Sequence, residues 1–397
     1  MGPVKIADNI YWVGAVDWNI RDFHGYSTYE GSTYNAYLIL DEKITLIDTV
    51  KEHLYEQFIG NIKQIIDPKK IDILISNHTE MDHSGSIPRL MHLIGKDKPI
   101  YCSKMGKKNL SLHFGDKFYF IPVGDGDKLS IGKRELMFIE TRMLHWPDSM
   151  FTYIPEEKIL FSSDAFGEHY ATSKRFDYEV DKDELFKQAK KYFANILYPY
   201  SNLILKLVEK IQKLKLEFNM ICPDHGVIWT KNIPDIVSRY VEWSKQEQKS
   251  RALVVYDTMW HSTEIMAEEI VKEIAKEQID VKLMSLKSCH RSDVITEVLD
   301  SGAVLIGSPT LNNNIFPTVS DFLTYMKGLR PQNKIGAAFG SYGWSGEAPK
   351  VIEKLLEEMK FDIVSPALRI QYVPNAQGLD MCRDLGKQVA ARLKQLK

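Results

Sequence analysis

Apolar and polar positions follow two rhythms along this chain. Up to about Ser250, short apolar runs recur between loops: NAYLIL from Asn35, KITLIDT from Lys43, IDILISN from Ile71, RELMFIET from Arg134, KILFSS from Lys158 and NMICP from Asn219. Runs this short and this rich in Ile and Leu predict strands, whereas YSNLILKLVEKIQKLKL from Tyr200 repeats its apolar residues at helical spacing. Many strands with a few amphipathic helices suit a two-sheet sandwich carrying outer helices. Beyond the polar segment SKQEQKS the rhythm becomes strand, loop, helix, strand, starting with RALVVYDTMWHSTEIMAEEIVKEIAKEQIDVKLMSL and continuing through AVLIGSPT and KIGAAFGSY. That alternation implies an α/β half with a parallel sheet and helices on both faces. A boundary near Lys249 divides the chain into domains 1–249 and 250–397.

Length agrees with two domains, since 397 residues exceed the ~100–200 of an ordinary one. Charge narrows the partners: 51 Lys and Arg against 53 Asp and Glu create no global field favouring nucleic acid or an anionic membrane. No apolar run approaches the ~18 residues of a membrane span, and MGPVKIADNIYWVGAV lacks the charged start and apolar core of a signal peptide. A cytoplasmic protein is expected. Cys102, Cys222, Cys289 and Cys382 are scattered without a CxxC pair, so they read as ordinary buried thiols rather than a zinc knuckle or a rubredoxin-type iron site.

The chemistry concentrates at strand ends. ISNHTEMDH, from Ile75, sets His78, Glu80, Asp82 and His83 within six residues after an apolar run. His145 follows MFIETRML, Asp164 follows KILFSS and His225 follows MICPD. Loops at one edge of a strand scaffold are where functional groups are held. Any one of these could be a solvated histidine or a turn-capping aspartate; four histidines and three carboxylates in this arrangement point to a metal site. The first cluster resembles the HxHxDH signature of the metallo-β-lactamase superfamily, with Glu80 where the second histidine should stand. Carboxylates favour harder ions, so Glu80 moves the expectation from zinc toward iron or manganese. Charge agrees: Glu80, Asp82 and Asp164 with one hydroxide neutralise two divalent ions, which allows burial.

In the second half, YDTMWHSTE lies between an apolar strand and an amphipathic helix. Backbone N–H groups there, with Thr258, Ser262 and Thr263 and the intervening Met259, Trp260 and His261, form a phosphate-binding candidate. It contains no GKS or GKT and no Lys or Arg, which suits a flavin monophosphate better than a nucleoside triphosphate. Two later loops also follow parallel strands at their carboxyl ends: Ser308, Pro309, Thr310, Leu311, Asn312 and Asn313; then Ser341, Tyr342, Gly343, Trp344, Ser345 and Gly346. Trp260, Tyr342 and Trp344 offer flat faces to a planar ring, against the alternative of core packing. The three loops resemble those of flavodoxins, whose sheet order is 2-1-3-4-5 and whose cofactor is FMN.

Taken together, HxExDH, His145 within LHWPDSMF, Asp164 within SSDAFG and His225 within PDHGVIW resemble the flavodiiron proteins. The likeness extends to IYWVGAVDWNIRDFHGY near the N-terminus and to the flavodoxin-like half. It implies a metallo-β-lactamase-like αββα sandwich followed by a doubly wound parallel sheet. It implies further that His78, Glu80 and His145 bind one non-haem iron, that Asp82, His83 and His225 bind the other, and that Asp164 bridges. The expected reaction is reduction of dioxygen to water through FMN and two irons per chain, with nitric oxide to nitrous oxide as the alternative. A metal-dependent hydrolase would normally keep histidine at position 80 and has no use for a flavin. A flavodoxin-type carrier on a metal-free scaffold would not need this complete donor set. No fused donor domain is expected, so electrons come from outside, from rubredoxin or the reduced deazaflavin F420. The resemblance also implies a head-to-tail homodimer, with a tetramer as a dimer of dimers compatible with it.

Overall fold

The computed structural model describes residues 2–396. The backbone groups into two units. One takes the chain up to His24, Thr28–Tyr192 and Asn202–Val241; the other takes Gly25–Ser27, Phe193–Ser201 and the described chain from Glu242 on. The boundary expected near Lys249 falls between the helix Ile233–Lys245 and the strand Arg251–Tyr256.

Two sheets form the first unit. β1 (Val4–Ala7), β2 (Ile10–Trp12), β3 (Tyr37–Ile39), β4 (Thr45–Ile47), β5 (Ile73–Ser76), β6 (Pro99–Ser103) and β7 (Tyr119–Val123) are neighbours in that order, antiparallel as far as β4 and parallel from β4 to β7. β8 (Lys128–Ser130), β9 (Glu135–Glu140), β10 (Met150–Ile154), β11 (Ile159–Ser163) and β12 (Met220–Pro223) form the other, with β12 parallel to β11. Successive side chains on a strand take opposite faces. Tyr37, Ile39, Ile47, Ile73 and Ile75 therefore pack with Phe138, Met150, Ile154 and Phe161 between the sheets. Leu38, Leu46 and Leu74 pack instead against Phe58 and Ile62 of the helix Tyr55–Lys63 and Leu90 and Met91 of the helix Ile87–Ile94. Burial on both faces is why these strands read as unbroken apolar runs.

In the second unit, β13 (Arg251–Tyr256), β14 (Asp280–Ser285), β15 (Ala303–Gly307) and β16 (Ile335–Tyr342) are parallel in the order β14-β13-β15-β16. The fifth position is shared by β17 (Asp362–Ile363), beside Ile335 and Gly336, and β18 (Leu368–Gln371), beside Phe339 to Tyr342. This is the doubly wound order expected from the alternating pattern. Val254, Leu305 and Phe339 pack on one face with Met266 and Ile270 of the helix Ser262–Lys276 and Leu385 and Val389 of the helix Ala376–Lys394. Among the described residues no helix is long and apolar enough to cross a membrane.

Candidate functional site

The seven residues singled out at strand ends come together in the first unit. β5 leads into the loop that carries His78 and Glu80; Glu80, in extended conformation, is the N-cap of the one-turn helix Met81–Ser84, which carries Asp82 and His83. Thr49 holds that turn, donating from both its N–H and its hydroxyl to the His83 carbonyl, at 3.0 and 2.6 Å. His145 comes from the loop between β9 and β10, Asp164 from the end of β11 and His225 from the end of β12. Gly226, at φ +82°, follows His225 against the Glu168 carboxyl group, which leaves no room for a Cβ.

All four imidazoles point Nε2 inward, in two pairs. Asp164 Oδ2 lies 3.2 Å from Nε2 of His78 and 3.3 Å from Nε2 of His145, while its Oδ1 lies 3.3 Å from Nε2 of His83 and 3.4 Å from Nε2 of His225. Glu80 Oε2 sits with the first pair at 3.3 and 3.2 Å, and Asp82 Oδ2 with the second at 3.2 and 3.3 Å. Two donors each ~2.1 Å from one ion and ~100° apart are separated by ~3.2 Å, so each group has the spacing of a coordination shell. Asp164 belongs to both.

Electrostatics gives a second test of fit. Burial is the largest influence on every group and disfavours charge, yet the neighbours prevail. Asp82 and Asp164 are held well below the usual carboxylate range by the surrounding histidines, and Glu80 is brought down to about 2 by His145 and His78. His78 and His83 are raised well above the ordinary imidazole value by Asp164 and Asp82 respectively, and His145 to about 9 by Asp164 and Glu80. The cluster demands positive charge. Asp164 Oδ2 and both Asp82 oxygens are buried with no hydrogen-bond donor among the described residues, a cost that coordinated cations remove. The donor set fits two ions of carboxylate-tolerant type.

Several contacts around this cluster lie outside the sequence-derived set. Tyr192, fully buried, donates its hydroxyl to Asp164 Oδ1 at 3.1 Å, and burial first, then the Asp164 charge, keeps that phenol protonated. Asp148 accepts from His78 Nδ1 at 3.1 Å, and the Thr33 carbonyl from His225 Nδ1 at 2.7 Å. His169 is buried with its ring 4.7 Å from that of His225. A cavity of about 670 Å³ opens on Glu80 and Asp82 between His24, Lys51, His53 and Trp146. His24 Nε2 reaches Glu80 Oε1 at 3.4 Å, and the Lys51 ammonium lies 4.5 Å from the centre of the Phe23 ring and 4.8 Å from that of Tyr34.

A different pocket occupies the carboxyl edge of the sheet in the second unit. Its volume is about 580 Å³, within the ~300–1,000 Å³ typical of cofactor sites. Met259, Trp260 and Ser262 line it from the first loop, residues 309–313 from the second and residues 341–345 from the third. Tyr372 and Val373, just past β18, complete the wall and were absent from the sequence-derived set. Thr258, His261, Thr263, Ser308 and Gly346 do not line it. Thr263 Oγ1 is bonded to Ser341 Oγ at 2.9 Å, Ser308 Oγ accepts from Phe316 N at 3.0 Å, and His261 turns to Glu264. Thr258 Oγ1, however, is buried without a partner in the loop ahead of the helix Ser262–Lys276, a hydroxyl available to a phosphate. The pocket's aromatic walls and neutral donors fit FMN.

A lactamase-like sandwich with a binuclear donor set, joined in one chain to a flavodoxin-like sheet with a flavin-sized pocket, defines a metal- and flavin-dependent oxidoreductase. Comparison with known proteins agrees. Residues 33–226 match the ODP family beta lactamase and residues 254–386 match flavodoxin. A nitric oxide reductase of Moorella thermoacetica is 49% identical over 98% of this chain and 99% of its own. The rubredoxin oxygen:oxidoreductase of Desulfovibrio gigas superposes with a TM-score of 0.97 at 43% identity, covering 99% of both chains. The flavodiiron protein of Giardia intestinalis does so at 0.94 and 36%, covering 100% of this chain and 98% of that one. The chain belongs to the flavodiiron proteins, and its cofactors are FMN and a non-haem di-iron site.

Proposed function

We propose that the chain reduces dioxygen to water with electrons passed through FMN, and that nitric oxide is a second substrate of the same site. The observation that carries this reading is the Asp164 carboxylate, whose two oxygens face two separate histidine pairs. His78, Glu80 and His145 would hold one iron, Asp82, His83 and His225 the other, with Asp164 shared. When bound, FMN and the iron pair supply two electrons each, matching the four electrons and four protons that turn dioxygen into two waters; coupling two nitric oxide molecules to nitrous oxide and water takes two of each. The residues around them do the rest. Tyr192 fixes Asp164 and keeps an O–H directed at it; His24 braces Glu80 from the mouth; Lys51 adds positive charge beside the cavity that admits a diatomic. Thr258 and Ser262, with the N–H groups opening the helix Ser262–Lys276, would take the FMN phosphate, and Trp260, Tyr342, Trp344 and Tyr372, which line the pocket, would hold its ring.

The proposed donor is rubredoxin-type, as in the name of the Desulfovibrio relative, with reduced F420 as the competing donor. The proposed location is the cytoplasm. The proposed working unit is a head-to-tail homodimer in which each flavin meets the partner's irons. The test of function is elemental and flavin analysis followed by consumption of oxygen, then nitric oxide, with each reduced donor. Two irons and one FMN per chain with turnover are expected; two zinc ions with negligible iron overturn the reading.

A further inference from the structure

The two proposed metal positions are matched in their inner donors: each has two imidazole Nε2 atoms, one carboxylate of its own and a share of Asp164. Behind the imidazoles they are unlike. His78 Nδ1 faces the Asp148 carboxylate at 3.1 Å, whereas His225 Nδ1 faces a neutral carbonyl, that of Thr33. His83 Nδ1 has Asp224 Oδ2 at 3.8 Å, beyond hydrogen-bond reach. Among the described residues, no other of the four imidazoles has a carboxylate within hydrogen-bond distance of its Nδ1.

Asp148 is also held more firmly than a lone buried acid. Its side chain is fully buried; Oδ2 accepts a second hydrogen bond from Thr79 N at 2.8 Å, and Oδ1 accepts one from Asn109 Nδ2 at 3.2 Å. Its own carbonyl accepts from Ser103 Oγ at 2.7 Å. The loop that carries His145 is thereby tied to the backbone of the segment that carries His78 and Glu80. A carboxylate behind a ligating imidazole fixes the Nδ1–H tautomer and the ring plane and makes Nε2 a stronger donor.

We propose that Asp148 is a positioning residue that makes the two irons inequivalent, so that the ion held by His78, Glu80 and His145 is bound more tightly and reduced later than the ion held by Asp82, His83 and His225. The inference rests on the di-iron reading above and adds an order between its two halves.

The test uses full-length, iron-loaded protein. Wild type is first assayed for iron and zinc; zinc occupancy there defeats the di-iron reading itself, whatever Asp148 does. With two irons confirmed, Asp148→Asn keeps the size and removes the charge. It is expected to weaken iron retention against a chelator by ~10–100-fold at one position only, and to alter one of the two iron signals in the Mössbauer spectrum. Stepwise reduction followed by electron paramagnetic resonance should show a narrower interval over which the half-reduced pair survives. Asp148→Glu, which restores a carboxylate, should recover part of the retention. Asn109→Ala removes one support of Asp148 without touching His78, shifts retention in the same direction by less, and decides the matter if Asp148→Asn does not fold. Wild-type retention and spectra in these variants overturn the proposal, as does loss of both irons at equal rates, which marks a merely structural role.

Discussion

Three carboxylates and four imidazoles crowd together at the sheet edge of the first unit, whereas the flavin pocket of the second presents hydroxyls, amides and bare aromatic rings. The first region is built around charge and the second avoids it. A divalent ion needs anionic donors at fixed distances, so Asp82 and Asp164 are buried, Glu80 is partly buried, and all three are held ionised by their neighbours. A flavin needs a flat slot and an anchor for one phosphate, which a helix N-terminus and neutral donors provide, with no carboxylate among the described residues in the lining of the pocket. The contrast teaches that the two cofactor sites should fail independently.

The sharpest way to break that contrast is Asp164→Ala with His83→Ala. Both irons and all turnover should go, beyond the ~10–100-fold of an outer-shell loss, with FMN per chain unchanged. Co-expressed with a chain disrupted at Thr258 and Ser262, this variant should regain turnover in mixed dimers; verified mixed dimers that stay inactive contradict transfer between chains. Next in size, Glu80→His should return the site toward zinc, with iron content and oxygen reduction falling together. Equal iron retention would show that the glutamate does not select the metal. Thr258→Ala with Ser262→Ala removes two hydroxyls from the phosphate anchor and should weaken FMN by ~10²–10⁴-fold, at ~1.5–3 kcal/mol for each hydrogen bond to a charged group. Iron per chain is the control and should not move.

The smallest expected effect concerns an exception in the second unit. Lys334 is 1% exposed, donating to the Ser301 carbonyl at 2.6 Å, with the Leu299 carbonyl at 3.5 Å. Burial, then the positive charge of Lys249, lowers its amine from 10.5 to about 7. Above 10.5 neither folded nor unfolded chain is protonated there and no penalty exists. As the pH falls toward 7 the unfolded chain alone gains the proton, so stability declines across that window and levels off below it. Urea midpoints at pH 7 and 9.5 should show this slope at the unit containing Lys334, and Lys334→Met should flatten it.

The sequence carries these features unequally. HxExDH is legible because four donors fall within six residues, and His145, Asp164 and His225 because each ends an apolar run. Asp148 and Tyr192 are single polar residues whose meaning depends on what the fold brings opposite them, His78 in one case and Asp164 in the other. Tyr372 and Val373 follow LRIQ, a short strand whose place beside β16 is decided by pairing across the sheet. Once a fifth parallel position is recognised, the loop after it could have been named, because ligands sit beyond the carboxyl ends of such strands. Tyr119–Val123 does not stand out as an apolar run because Pro122 interrupts it, and Pro99–Ser103 does not because only Ile100, Tyr101 and Cys102 lie between its proline and its serine.

The scatter of the donors along the chain bears on how the protein matures. His78 and Glu80 leave the ribosome long before His225, which closes the second group only after β12 has paired alongside β11. Contacts so distant in sequence form late in folding. A nascent chain therefore offers iron an incomplete, weak set of ligands until the sandwich is finished. Loading is then a post-translational event that certifies a completed first unit, and a chain truncated before His225 should accumulate without capturing the metal pair.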